Sequence, residues 1–127
     1  MLVDTNVLVR HLTGQPANQA RRATKFLRNA TRLELPSLIV AELIYVLESV
    51  YEQNRAQVSA LVRSVLAHPP IHTAEESILV RAVEFYETTR AHFAEAYLAA
   101  AAEHNDGMVA SFDRDLDLID GVTRVEP

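Results

Sequence analysis

The chain has 127 residues, of which 49% are hydrophobic and 23% are charged, and its formal net charge is −5. This length suits a single domain over residues 1–127, and the hydrophobic fraction is too high for an intrinsically disordered chain. Because the chain contains no cysteine, disulfides, thiolate zinc sites and iron–sulfur clusters are excluded.

Short apolar runs alternate with helical patterns along the whole chain. In chain order the patterns predict a strand at Met1–Val3, helices at Asn6–Leu12 and from Pro16, a strand at Leu33–Pro36, helices after Ser37 and through Val58–Leu66, a strand at Ile71–Thr73, helices through Ile78–Tyr86 and Phe93–His104, and strands at Met108–Ser111 and Thr123–Val125. Ser37 is the expected N-cap of its helix. The helix through residues 93–104 is apolar on nearly every face, which predicts that it is buried.

Strands separated by helices indicate parallel strands joined by crossover connections. The strands read as continuous apolar runs, which is typical of a sheet covered on both faces. We therefore predict an α/β fold, a three-layer α/β/α sandwich with a small, mostly parallel sheet of four to five strands. In such sheets the ligand site lies beyond the carboxyl ends of the strands.

Four acidic residues from distant parts of the chain fall at that end of the predicted sheet. Asp4 follows the first strand and Asp113 follows the fourth, while Glu42 and Glu95 lie early in helices. Each alone could be a helix cap or a first-turn acid that favours the helix dipole. Glu42 and Glu95 are, however, surrounded by apolar residues, where a charged group needs a partner.

A cluster of these carboxylates requires a positive counter-charge. Two carboxylates about 6 Å apart repel by roughly 3 kcal/mol at an effective dielectric constant of about 20. Either some of them are protonated or a divalent cation binds. An all-oxygen ligand set without cysteine or a histidine pair favours Mg²⁺ or Mn²⁺, and such sites serve phosphoryl chemistry.

Four motifs carry a resemblance to a known family. They are Leu2-Val3-Asp4-Thr5-Asn6-Val7-Leu8, Val40-Ala41-Glu42-Leu43, His92 to Ala100 around Glu95, and Ser111-Phe112-Asp113-Arg114-Asp115. Their order and spacing resemble those of PIN-domain nucleases, and the chain length is similar to that of VapC-type toxins of prokaryotic toxin–antitoxin pairs.

The resemblance implies a metal-dependent endoribonuclease that cleaves RNA with a metal-activated water and is neutralised by a cognate VapB-type antitoxin. It assigns metal binding and catalysis to Asp4, Glu42, Glu95 and Asp113, with Asp115 as a further candidate ligand. The third motif departs from the family pattern, because Glu95 stands where aspartate is usual and His92 stands where an aspartate often opens the motif.

Other residues are candidates for supporting roles. Thr5, Asn6 and Ser111 lie beside the acidic residues, and the hydroxyl groups could orient a carboxylate or a water, or could instead bond locally in turns. Arg10 and Arg114 are candidates for RNA binding, as are Arg21, Arg22, Lys25 and Arg28, although these four could simply form a solvated helix face.

The expected partners are RNA, the antitoxin and a second copy of the chain. An association surface is expected around Ile44, Tyr45, Leu47 and Tyr51. With no apolar run long enough for a membrane span and no signal sequence, we expect a soluble, cytoplasmic protein.

Three alternative functions follow from the same residues. A PIN-like module could bind RNA or protein with little catalysis. A haloacid-dehalogenase-like phosphatase is disfavoured because Asn6 stands where a second acid is needed. A receiver-type domain needs a late lysine, and the chain has only Lys25.

Overall fold

Helices dominate the protein, and the strands between them are short. A computed structural model describes all 127 residues. The elements are α1 Thr5–Thr13, α2 Ala17–Asn29, β1 Leu33–Glu34, α3 Ser37–Ser49, α4 Arg55–Leu66, β2 Ile71–His72, α5 Glu76–Thr88, α6 Phe93–Ala102, β3 Met108–Ala110, a 3₁₀ helix Arg114–Leu118 and β4 Thr123–Val125. The chain divides into two units, Met1–Glu76 and Ser77–Pro127.

The first unit contains a parallel pair of strands with helices packed around it. Strands β1 and β2 pair in parallel, with Leu33 opposite Ile71. The N-terminal segment joins β1 through a parallel bridge between Leu2 and Glu34 and through a hydrogen bond from the Val3 amide to the Glu34 carbonyl. Helix α1 packs against α2 and α3, and α4 packs against α3 and β2.

The second unit contains another parallel pair. Strand β3 pairs with β4, and Val109 lies opposite Arg124. Helix α6 packs against β3 and against the 3₁₀ helix, which also contacts β4. The rings of Tyr86 and Phe93 meet edge to face at 6.3 Å between centroids, and this contact connects α5 with the start of α6.

The predicted strand positions are confirmed more closely than the predicted sheet. The α/β composition and the parallel direction are present, but the strands form two separate sheets of two strands instead of one sheet of four to five. The predicted first strand is only an isolated bridge at Leu2. Each strand is two or three residues long, so its hydrogen-bond ladder is short, and apolar runs alone do not show which strands pair. The three-layer sandwich and the single domain over 1–127 stay predictions.

The helices follow the predicted apolar patterns, with one cap assigned wrongly. Val40, Leu43 and Leu47 form the buried stripe of α3. In α6 four alanines are buried, Ala96, Ala99, Ala100 and Ala102, but Leu98 is 45% exposed, so the predicted burial of this helix holds for only part of its surface. Pro36, not Ser37, is the N-cap residue of α3. The Ser37 hydroxyl instead donates a hydrogen bond of 2.5 Å to the Glu75 carboxylate, because a side chain already inside the first turn is free to bond to a distant partner. None of the helices has the length and apolar character that crossing a membrane would require.

Candidate functional site

Asp4 is the N-cap residue of α1, but its carboxylate does not cap the helix. The backbone is extended at Asp4, as a cap requires, yet no hydrogen bond joins its side chain to the first turn. The side chain is exposed and accepts a long hydrogen bond of 3.4 Å from the Asn6 amide group. The carboxylate is therefore available to a ligand, and the bond from Asn6 leaves it mostly unpaired.

Thr5 connects the start of α1 with α3. Its side chain is only 5% exposed, and its hydroxyl donates a short hydrogen bond to the Glu42 carboxylate. The two residues are 37 positions apart, and the packing of α1 on α3 brings them together. Since Thr5 directly follows Asp4, the first unit places the Asp4 and Glu42 segments side by side.

In the second unit, Glu95 lies in the first turn of α6 and is partly buried. Its Oε2 atom is buried and has no hydrogen-bond partner. A buried carboxylate oxygen without a donor is costly unless a proton or a cation accompanies it. Position in the first turn alone would favour the charge through the helix dipole, but it supplies no partner for this oxygen.

Asp113 is the N-cap residue of the 3₁₀ helix, which packs against α6. Its Oδ1 atom accepts a hydrogen bond of 2.9 Å from the Asp115 amide, so this aspartate does act as a cap. The Ser111 hydroxyl accepts a bond of 2.9 Å from the Asp113 amide, which is the local turn role considered for that serine. The second unit thus carries Glu95, Asp113 and Asp115 on two neighbouring elements.

Arg124 holds the segment that carries Asp113, and sequence reasoning did not identify it. Its side chain, 12% exposed, donates to the Ser111 carbonyl at 3.1 Å and to both Asp117 carboxylate oxygens at 3.0 and 3.2 Å. The hydrogen bond from Arg124 lowers the pKa of Asp117. Asp117 is therefore engaged in an ion pair. The only sequence signal for this role is a lone basic residue within the last predicted strand.

The predicted RNA-binding arginines differ in their surroundings. Arg10 lies on α1 and donates from Nε to the Gln19 side chain of α2 at 2.8 Å. Arg114 is exposed directly after Asp113 and forms no ion pair. Both guanidinium groups keep free donors that a phosphate group could accept.

The predicted association surface is partly wrong. Ile44 and Leu47 are 2% and 0% exposed and belong to the core, because the side of α3 on which they lie packs inward. Tyr45 is exposed, and Tyr51 is half-buried. The exposed apolar side chains of α3 are instead Leu38 and Tyr45, and the homodimer stays a prediction.

The candidate residues suit a divalent cation in chemistry. All are carboxylates, which are the ligands that Mg²⁺ and Mn²⁺ prefer. The buried Oε2 atom of Glu95 has no hydrogen-bond donor within the protein, and the Asp4 carboxylate accepts no hydrogen bond from the first turn of α1. In neither unit do three or more acidic or histidine side chains form a ready metal-binding group.

The chain matches the sequence model of a known protein family. The sequence model of the family described as PIN domain matches residues 1–122, which is nearly the whole chain and includes all four acidic motifs. A search of curated proteins gives no match.

Proposed function

The chain belongs to the PIN-domain family, and from this premise we propose that it is a metal-dependent endoribonuclease and the toxin of a toxin–antitoxin pair. PIN domains are generally metal-dependent nucleases, so the family match assigns the chain to the nucleases, a class of hydrolases. The family match is the observation that carries the proposal. RNA as substrate, the toxin role and the choice of Mg²⁺ or Mn²⁺ go beyond it.

In this proposal the metal ligands are the acidic residues of the four motifs, Asp4, Glu42, Glu95 and Asp113, with Asp115 as a further candidate. When bound, the ion would supply a Lewis acid that neutralises phosphate charge and acidifies a water molecule. The protein's own contribution is orientation. Thr5 restrains the Glu42 carboxylate through its hydrogen bond, and such partners of ligand residues usually set ligand geometry.

The test is cleavage of total RNA by the purified protein. We expect cleavage with Mg²⁺ or Mn²⁺ and none with excess chelator. Asp4→Asn should abolish cleavage, because it removes a charged ligand and keeps the side-chain shape. Asp120→Asn is the matched control, since it removes the same charge at an exposed position outside the motifs. Cleavage that persists undiminished in chelator would refute the metal-dependent mechanism.

The toxin role requires a separate experiment. Expression of the chain alone should arrest bacterial growth, and Asp4→Asn should relieve the arrest. A cognate VapB-type antitoxin that presents an arginine to the acidic residues would be electrostatically matched to this site. Normal growth at high expression of a protein that cleaves RNA in vitro would contradict the toxin role while leaving the nuclease intact.

The proposed homodimer is tested by sedimentation of the purified chain at high micromolar concentration. The exposed Leu38 and Tyr45 side chains of α3 support association, because exposed large apolar side chains favour burial against a partner. A strictly monomeric protein would refute the dimer without bearing on RNA cleavage.

A further inference from the structure

Positive charge is concentrated at one end of an acidic chain. Six of the 12 basic side chains lie within residues 5–33, and none of the 17 acidic side chains does. The remainder of the chain therefore carries the whole acidic excess. Such a separation of charge within one small protein produces a local positive field although the net charge is −5.

The cations of α2 lack acidic partners. Elsewhere arginines are paired, as with Arg81 to Glu103 at 3.0 Å and Arg32 to Glu34 at 2.7 Å. No ion pair involves the four basic side chains of α2, which are Arg21, Arg22, Lys25 and Arg28. Like charges three or four positions apart destabilise a helix slightly. A bound polyanion would offset this repulsion.

A groove between α1 and α2 combines these charges with an aromatic ring. Its lining includes Asn6 and Arg10 from α1, and Gln19, Arg22 and Phe26 from α2. The hydrogen bond from Arg10 to Gln19 holds the guanidinium group at the groove. Phe26 is 41% exposed and lies on the same helix as the four cations. The groove begins at Asn6, whose amide group contacts Asp4.

We propose that this groove binds a single strand of RNA, with phosphates at Arg10 and Arg22 and a base stacked on Phe26, and that the strand continues toward Asp4. The inference rests on the proposed ribonuclease function and adds the path of its substrate. An aromatic ring among basic side chains is the typical platform for unpaired bases, because stacking needs only the face of a base. An acidic protein bound in the groove would also pair with the basic side chains, but it has no bases to stack on the exposed Phe26 ring.

The experiment measures binding of fluorescein-labelled oligouridylate by anisotropy. The measurements use the Asp4→Asn background in chelator, so that cleavage plays no part. Phe26→Leu should weaken binding about tenfold and leave the salt dependence unchanged, because it removes stacking and no charge. Phe26→Tyr should retain affinity. Tyr45→Leu, which removes an exposed ring of α3, is the matched control and should bind as the parent does.

Arg22→Gln tests the phosphate contact. Each phosphate contact with a single strand contributes about 0.7 to the slope of log K against log salt concentration. We expect the slope to fall by about that amount. Arg63→Gln, which removes an exposed charge from α4, should leave the slope unchanged. Melting curves of all variants verify that each one is folded.

Several results would overturn the proposal. Folded Phe26→Leu protein that binds as tightly as its parent would exclude the base platform. Polyglutamate that competes as well as oligouridylate, or duplex RNA that binds more tightly, would assign the groove to another polyanion. If oligouridylate binding depends on Phe26 and Arg22 as expected but the protein never cleaves RNA, the RNA-binding groove is supported and the proposed nuclease activity is refuted. If the protein cleaves RNA but Phe26→Leu and Arg22→Gln bind oligouridylate as the parent does, the nuclease activity is supported and the RNA-binding groove is refuted.

Discussion

Replacement of Thr5 by valine removes the hydrogen bond that joins α1 to Glu42 while keeping the side-chain shape. A hydrogen bond to a charged group contributes about 1.5–3 kcal/mol to folding stability. Glu42 is exposed, so water solvates its carboxylate once the bond is lost, which brings the cost toward the lower end of that range. The added buried methyl group returns about 0.8 kcal/mol.

The expected net loss is therefore about 1 kcal/mol of unfolding free energy, or roughly 4 °C in melting temperature for a chain of this size. The expected loss of cleavage is larger. Residues that orient metal ligands typically contribute about 10- to 100-fold in metal affinity or activity. We expect Thr5→Val to shift the Mg²⁺ dependence of cleavage to higher concentration, because the Glu42 carboxylate is no longer restrained.

Two measurements on the same variants separate orientation from stability. Thermal unfolding in chelator reports the stability loss, and cleavage rates over a Mg²⁺ titration report ligand orientation. Thr5→Ser retains the hydroxyl group and should keep cleavage while losing some stability. If Thr5→Val cleaves as the parent does at every Mg²⁺ concentration while Glu42→Gln is inactive, the hydrogen bond has only a structural role and the reasoning is refuted.

Three further outcomes can be measured on single variants. Glu95→Gln should weaken Mn²⁺ binding in calorimetry while Glu95→Asp retains it, and equal affinity of both would remove this residue from the metal site. Partial desolvation, together with the nearby His68, lowers the pKa of His11 below its ordinary value of 6.5. The contribution of His11 to stability is therefore present above that value and is lost as pH falls through the lowered pKa. His11→Gln should flatten this acid-side decline in chemical unfolding, and an unchanged decline would contradict it. Arg124→Gln should slow cleavage by releasing the Ser111 carbonyl, whereas Arg81→Gln, which also removes paired arginine contacts, should not.

Most of the secondary structure of this protein follows from local sequence patterns. The predicted strand Thr123–Val125 matches β4, and the helix predicted from residue 93 begins at Phe93 as α6. These elements depend on the spacing of apolar residues and on breakers such as Pro69 and Pro70, which act over one or two turns. The positions of the four acids beside strands and helix starts are local properties as well.

The sheet could not be predicted from the same patterns. Pairing of β1 with β2 joins residues 38 positions apart, Leu33 and Ile71, and a run of two or three apolar residues does not identify its partner. The predicted single sheet of four to five strands therefore became two pairs. Similarly, Ile44 and Leu47 looked available for association, because the pattern of α3 does not show how many of its faces are covered.

For the candidate site, the residue types and their positions along the chain can be read from the sequence alone. Their hydrogen-bond partners follow only from the tertiary packing. The Thr5 hydroxyl donates to the Glu42 carboxylate, and the Arg124 guanidinium donates to the Ser111 carbonyl. Oε2 of Glu95 is buried without a donor. Each of these outcomes depends on the packing of elements distant in the chain, which short-range periodicity does not encode.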